Sequence, residues 1–238
     1  TREVGRDTAG SDARADVHAM SSDKSHWERC YRAKAPEAMS WYEAEPAISL
    51  ALLQRAGLNP RSALIDVGGG ASTLVDQLLA RAVHSVTVLD IAAAALDTSR
   101  ARLGTSAGEV TWCEADVLTA DLPPARYDLW HDRAVFHFLT TPAERMLYVS
   151  QCAHALRKGG SIVMGTFADD GPTRCSGLDV LRYTADTLAK ELGARFELLE
   201  SLRHSLRPPD GRTRPSHYQC LLVDDVWLVL TASGLPIR

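Results

Sequence analysis

Residues 63–72 read ALIDVGGGAS. Apolar residues run without polar alternation up to Asp66 and Val67, which is how a strand buried on both faces reads. Three glycines then let the backbone turn sharply and pass close to a ligand. STLVDQLLARA (72–82) follows as a helix with a serine at its start. A buried strand, a glycine turn and a helix make the first half of a βαβ unit, and the downstream chain repeats the alternation. SVTVLDI (85–91), VTWCEADV (110–117), YDLWHDR (127–133) and SIVMGTF (161–167) read as strands. AAALDTSRARLG (93–104) and TPAERMLYVSQCAHALRKGG (141–160) read as helices, the second with Thr-Pro at its start and Gly-Gly at its end. This order predicts an α/β fold with a mostly parallel sheet and helices on both faces.

Upstream, residues 22–34 space Trp27, Cys30 and Tyr31 as on a helix, and Pro36 interrupts them. SWYEAEP precedes a second helix at 46–57, which buries Ile48, Leu50, Leu52 and Leu53 and stops at Gly57. Downstream, 168–183 is a polar, glycine-bearing loop and TADTLAKELG (184–193) a helix. FELLESLRHSL (196–206) and HYQCLLV (217–223) read as an antiparallel strand pair at the sheet edge, joined by RPPDGRTRPS. The first 21 residues are polar and read as a mobile tail.

Composition narrows the functional classes. The 238 residues suit one α/β domain, with 45% hydrophobic and 24% charged residues. A formal charge of -4 argues against a dedicated nucleic-acid binder. Five cysteines, at 30, 113, 152, 175 and 220, form no CxxC pair, so neither a disulfide framework nor a structural metal site is expected. A reducing cytoplasm fits them best. No apolar run approaches the ~20 residues a membrane span needs, and the N-terminus lacks a signal-peptide core.

The strand ends carry the chemistry. Asp90 ends the second strand 20 residues after Gly70, where a carboxylate accepts hydrogen bonds from ribose hydroxyls. Asp116 ends the third, where an adenine amino group would need an acceptor. Either acid alone reads equally well as a helix cap. With the glycine turn, on one sheet and in order, they point to an adenosine-type ligand. The turn matches neither GxGxxG nor GxxxxGK[ST], which disfavours a nucleotide hydrolase.

The series DVGGG, VLDI, EADV, YDLW and LRKGGSIVM, over about residues 60–167, resembles the motifs of class I S-adenosylmethionine-dependent methyltransferases. The resemblance implies a Rossmann-like seven-stranded sheet ending in an antiparallel hairpin, with S-adenosylmethionine as cofactor and S-adenosylhomocysteine as product. By motif position Asp66 would approach the methionine amino group, and Gly68, Gly69 and Gly70 would line it. Asp90 would hold the ribose and Ile91 pack on adenine. Asp116 and Val117 would face the adenine edge, and His131 would border the cofactor.

In such a fold the end of the fourth strand faces the transferred methyl. DLWHDRAVFHFLT (128–140) partly resembles the thiopurine S-methyltransferase branch, with His131 inserted between Trp130 and Asp132. An acceptor thiol is already partly ionised near neutrality, and a cation raises that fraction. Arg133 would supply that field, Asp132 would orient it, and His137, one helical turn on, would take a proton. The bland alternative is a structural Asp132–Arg133 ion pair and a satisfied core His137. Phe136 or Phe138 would wall the pocket. Trp27, Tyr31, Trp41 and Tyr42 would form a lid, with plain packing a sufficient role for Trp27. In the 168–183 loop Cys175, Arg174 and Arg182 face the substrate side, with Arg182 alternatively bound to Asp179. His204 and His217 would flank the hairpin turn. The expected organisation is one domain over 22–238: a helical lid (22–58), a cofactor core (59–167), and a substrate loop with C-terminal strands (168–238). The expected activity is methyl transfer to a small thiol, sulfide or related chalcogen nucleophile, with no nucleic-acid or membrane partner. A protein-lysine N-methyltransferase and a non-catalytic cofactor-binding protein remain as alternatives.

Overall fold

The computed structural model describes residues 24–39, 41–205 and 224–232. Its strands are β1 (Ala63–Val67), β2 (Ser85–Asp90), β3 (Val110–Glu114), β4 (Tyr127–Arg133), β5 (Leu156–Phe167), β6 (Arg174–Cys175), β7 (Leu178–Asp179), β8 (Phe196–Ser205) and β9 (Asp224–Ala232). Seven of them form one sheet in the order β3-β2-β1-β4-β5-β9-β8, and β6 and β7 pair separately. Strands β1 to β5 run parallel, and β9 lies antiparallel between β5 and β8. The expected Rossmann-like architecture is therefore present. The chain winds outward from β1 to β3, then returns to β4 on the other side of β1. The crevice beyond the carboxyl ends of β1 and β4 is the switch point at which open α/β sheets take ligands.

Helices α1 (Lys24–Ala33), α2 (Ala47–Arg55), α3 (Leu74–Leu79), α4 (Ala93–Leu103), α5 (Pro142–Ala155) and α6 (Ala185–Leu192) surround the sheet. Strand alternation divides the core into two layers. Ile65, Trp130 and Ile162 pack with Tyr148 of α5 and Leu188 of α6. Their neighbours Leu64, Leu129 and Val163 pack with Leu53 of α2, Leu74 and Leu78 of α3 and Leu96 of α4. Each such side chain taken from water contributes about 2 kcal/mol. Burial on both faces is why β1 and β2 read as continuous apolar runs. Helix α5 starts at the Thr-Pro signal. Thr141 Oγ1 accepts from the Glu144 amide at 3.3 Å while Glu144 accepts from the Thr141 amide at 3.0 Å.

Four expectations need correction. Helix α5 ends at Ala155, because Leu156 is extended and pairs with Tyr127 of β4. The following RKGG belongs to β5, where Gly159 takes φ +77° beside a register shift between β4 and β5. The segment after β4 forms a 3-10 turn at Phe136–Phe138 rather than an α-helix. Inside the 168–183 loop β6 and β7 make a tight hairpin, with Ser176 at φ +51° and Gly177 at φ +84°. The strand that pairs with β8 is Asp224–Ala232. The strand expected at 217–223, the turn segment before it with His217, and the tail 1–21 lie outside the described residues. Among those residues no helix is long and apolar enough to cross a membrane.

Candidate active site

The glycine turn and two acids meet at the end of β1 and β2. Gly68 adopts φ +67°, and a Cβ there would lie 2.1 Å from Val135 Cγ2, so only glycine fits. A Cβ on Gly70 would lie 2.4 Å from Asp90 Oδ2 and 2.7 Å from Ala95 Cβ. Asp90 is 5% exposed and accepts from the Ala92 amide at 2.9 Å through Oδ1. Burial pushes its carboxyl up to about 7, and the charges of Asp66 and Glu28 add to the rise. Such a group hydrogen-bonds readily to a diol. Asp116 closes β3 in a local turn, with Oδ1 accepting from the Leu118 amide at 2.9 Å. Val117 is buried, and Ile91 is half-buried with apolar surface left to cover a ring.

Asp66 lies against the same turn, where a Cβ on Gly69 would come 2.4 Å from its Oδ2. The sheet register sets it opposite His131 of β4, and Oδ1 meets His131 Nδ1 at 2.7 Å. His131 Nε2 in turn meets Ser49 Oγ of α2 at 3.0 Å. The imidazole thus holds the acid by its back. Asp66 Oδ2 is buried with no hydrogen-bond partner in the protein. A buried carboxylate oxygen left over is costly unless a donor arrives. An amino group is such a donor, so these residues fit the amino-acid end of an adenosyl-methionine ligand.

The end of β4 differs from expectation. Consecutive strand residues point to opposite faces, so Asp132 and Arg133 cannot pair side by side. Asp132 turns toward α5, fully buried, and accepts from the Val135 amide (2.8 Å), the Phe136 amide (3.1 Å) and the Tyr148 hydroxyl. Burial raises its carboxyl to about 6. It orders the turn after β4 and does not orient Arg133. Arg133 turns the other way and pairs with Glu43 Oε1 at 2.9 Å, both side chains about one-fifth exposed (18% and 21%). Phe136 is not a pocket wall either. It is buried against Tyr148 and Tyr183, with centroids 5.0 and 5.8 Å apart.

Beyond β4 a group of aromatic rings packs together. His137 is fully buried, with its ring 4.4 Å from Phe138 and 4.5 Å from Phe167. Neither nitrogen has a hydrogen-bond partner, and burial holds its pKa near 3. It is therefore not a satisfied core imidazole. Nor does it share a helical face with Arg133. Phe138, Phe167, Cys175 and Val180 cluster with Trp27 of α1. Trp27 also meets Phe138 at 5.1 Å and Trp41 at 6.2 Å, and Tyr31 meets Trp41 at 6.3 Å. Tyr42 is half-buried and joins none of these ring contacts.

Helix α1 lies across the carboxyl ends of β2 and β3. Glu28 accepts from the Ala94 amide at 3.4 Å, and Lys24 pairs with Glu114. Tyr31 feels the charges of both Asp90 and Cys175, and burial, the larger cause, raises its hydroxyl well above the ordinary range. The segment after α1 is fastened through Glu43, whose carbonyl accepts from Thr73 Oγ1 at 2.9 Å. Sequence reasoning missed Glu43, Glu28 and Ser49, since each acts through a distant partner.

The 168–183 loop is held in place rather than open. The Leu181 amide donates to His137 O at 2.8 Å and the Tyr183 amide to Phe167 O at 2.9 Å. Arg174 pairs with Asp179 at 3.1 Å, so Asp179 is not the partner of Arg182. Arg182 is exposed and donates to Gly171 O at 3.1 Å. His204 lies on β8, and no cluster of metal-binding side chains occurs among the described residues.

Residues 64–160 match a family model described as a methyltransferase domain. Proteins described as uncharacterized methyltransferases, from Mycobacterium bovis and Mycobacterium tuberculosis, are each 30% identical over 135 residues, 56% of this chain. The match spans 64% of their own length, just under two thirds. Among solved structures, a 1,6-didemethyltoxoflavin-N1-methyltransferase of Burkholderia thailandensis with bound S-adenosylhomocysteine gives a TM-score of 0.67 at 20% identity, over 97% of this chain and 94% of that one. A protein studied for converting a disulfide bond into a thioacetal group in echinomycin biosynthesis gives 0.68 at 16% identity, over 87% and 90%. The N-methyltransferase NodS of Bradyrhizobium japonicum, also with S-adenosylhomocysteine, gives 0.65 at 16% identity, over 86% and 97%. The stretch that holds the glycine turn and the acids Asp66, Asp90 and Asp116 thus matches a methyltransferase-domain model, and the chain shares the fold of methyltransferases solved with S-adenosylhomocysteine.

Proposed function

We propose that the protein transfers a methyl group from S-adenosylmethionine to a small acceptor, with a thiol or related chalcogen nucleophile as first choice. The observation that carries the cofactor half is the buried, unpartnered Asp66 Oδ2 beside the glycine turn, in line with Asp90 and Asp116 at successive strand ends. Asp66 accepts from the amino group, Asp90 from the ribose hydroxyls, and Asp116 with Val117 faces the adenine edge, while Ile91 packs on its ring. When bound, the cofactor supplies an electrophilic methyl on a sulfonium. The protein's part is to place a lone pair in line with it and exclude water.

The acceptor class follows from what the ring-lined side lacks and what it offers. His137, held near pKa 3, is a weak base at neutrality. The charge of Arg133 is met by Glu43, which revises its expected role as a free cation beside a thiolate. An acceptor must therefore bring its own lone pair, as a thiol with a reference pKa of about 8.5 does in part. A lysine ammonium would first have to lose a proton. Helix α1 and Glu43 also cover the crevice, which suits a small molecule better than a protein chain. One observation favours an amine instead: Trp27, Tyr31 and Trp41 form an aromatic cluster, and aromatic rings attract cations. The echinomycin and NodS neighbours act on sulfur and nitrogen respectively, so the fold admits both.

The test is methyl-labelled S-adenosylmethionine with the purified protein against sulfide, methanethiol, a thiopurine, small amines and a cell lysate. Labelled methanethiol from sulfide, or a labelled thioether from a thiol, is expected. Labelling of lysine in lysate proteins, with no thiol product, would overturn the acceptor assignment. Cofactor binding without turnover of any acceptor would support a non-catalytic cofactor-binding protein.

A further inference from the structure

The carbonyls of the glycine turn are gripped from behind by α4. Ser99 Oγ, fully buried, donates to Gly70 O at 2.5 Å. Three residues on along the same helical face, Arg102 Nη1 donates to Ala71 O at 3.1 Å and Nη2 to Ser72 O at 2.6 Å. Nη2 also reaches Ser99 Oγ at 3.0 Å. Asp76 of α3 holds the guanidinium in place, with Nε–Oδ1 at 2.9 Å and Nη2–Oδ2 at 2.7 Å. Three consecutive carbonyls are thus tied to one side of the turn by two side chains.

Peptide planarity gives this consequence. In a trans peptide the C=O of one residue and the N–H of the next point in opposite directions. With the Gly70 carbonyl held toward α4, the Ala71 amide is turned away from α4, to the opposite side of the turn. The Ser72 amide is taken by Gly69 O at 2.7 Å. A flexible glycine turn has many peptide orientations, and an anion is met only when its amides are aligned.

We infer that Arg102, with Ser99, is a positioning residue for the cofactor's amino-acid end. It fixes the peptide orientation of residues 70–72 so that the turn meets that end in a ready state. The inference rests on the S-adenosylmethionine reading above. A planar fork bonded to two carbonyls and a carboxylate is a task for arginine, not for a lysine point charge. A plain surface ion pair between α3 and α4 would explain Asp76–Arg102, but not the two carbonyl contacts or the link through Ser99.

The experiment compares two ligands by calorimetry on the whole chain: S-adenosylhomocysteine, and 5′-methylthioadenosine, which lacks the amino-acid end. Arg102→Ala is expected to raise the Kd for S-adenosylhomocysteine about tenfold or more, the effect of losing aligned hydrogen bonds to a charged group. The Kd for 5′-methylthioadenosine should stay within about twofold. Arg102→Lys should behave like Arg102→Ala, which separates the fork from its charge. Should Arg102→Ala unfold, Ser99→Ala keeps the guanidinium and is expected to give a smaller loss, about threefold, again confined to S-adenosylhomocysteine. Equal losses for both ligands, or none for either, would overturn the inference. Failure of the wild-type protein to bind S-adenosylhomocysteine would instead overturn the cofactor reading itself, and the inference with it.

Discussion

Asp90 joins charge and burial in the side chain proposed to hold the ribose. Its carboxyl is pushed up to about 7 by burial, with the carboxylates of Asp66 and Glu28 adding to the rise. Ribose hydroxyls bind best to the ionised form, so ligand binding drives a proton off wherever the pH is below about 7. Affinity for S-adenosylhomocysteine should therefore tighten from pH 5.5 to 7 by roughly tenfold per unit, and level off above, as linkage requires. Asp90→Asn should bind weakly with a flat profile over that range. A flat profile in the wild-type protein would show that Asp90 is ionised before the ligand arrives. Gly70→Ala addresses the same carboxylate by a different route. A methyl 2.4 Å from Asp90 Oδ2 and 2.7 Å from Ala95 Cβ must displace the acid or α4. Calorimetry should read a loss of at least about 100-fold in affinity, given that overpacking costs on the order of 1–3 kcal/mol and the ribose contact goes with it. These acids were legible in the sequence because each ends an apolar run whose strand could be read. Asp132 and Arg133 were misread although the range of β4 was also readable. Treating neighbours in sequence as neighbours in space ignored the alternation of a strand.

The segment ahead of β1 is legible only in part. Of the aromatic residues at 27, 31, 41 and 42, the first three meet in one cluster. The fastening was invisible, because Glu43 is matched to Arg133 and Thr73, 90 and 30 residues away, and no local pattern records such partners. Glu43→Gln keeps the side-chain shape and removes the charge. Faster amide exchange across 41–46 is expected, with affinity for S-adenosylhomocysteine within about twofold, since the half-buried pair is worth on the order of 1 kcal/mol. Unchanged exchange would mean that the rings alone hold the segment. Arg133→Ala should lower turnover with affinity for the cofactor largely kept. Equal loss of both would place Arg133 on the cofactor side. The short β6–β7 hairpin escaped detection for a different reason. Two-residue strands carry too few residues for a period to be seen.

Across the molecule, three buried titratable groups oppose one another. Asp90 near 7 and Asp132 near 6 hold protons that the unfolded chain has lost above about 4. Their contribution is present at low pH and is lost as pH rises through 4 to 6 and 7. His137, near 3, resists a proton that the unfolded chain takes up below 6.5, so its effect has the reverse sign. Between about pH 4 and 6 the single imidazole offsets the two carboxyls only in part, so the wild-type profile does not resolve the separate groups. A variant unmasks them. His137→Phe removes the imidazole from a site already walled by Phe138 and Phe167. Its packing cost is the same at every pH, whereas the imidazole's penalty grows by about 1.4 kcal/mol for each unit below 6.5. Urea unfolding at pH 7.5, 6 and 5 should therefore find the variant gaining on the wild type as the pH falls. A difference that stays constant from pH 7.5 to 5 would mean that His137 is protonated in the fold, with a partner for its charge. In that case it would be a base fit to take a proton from an amine, and the argument for a thiol acceptor would lose its main support.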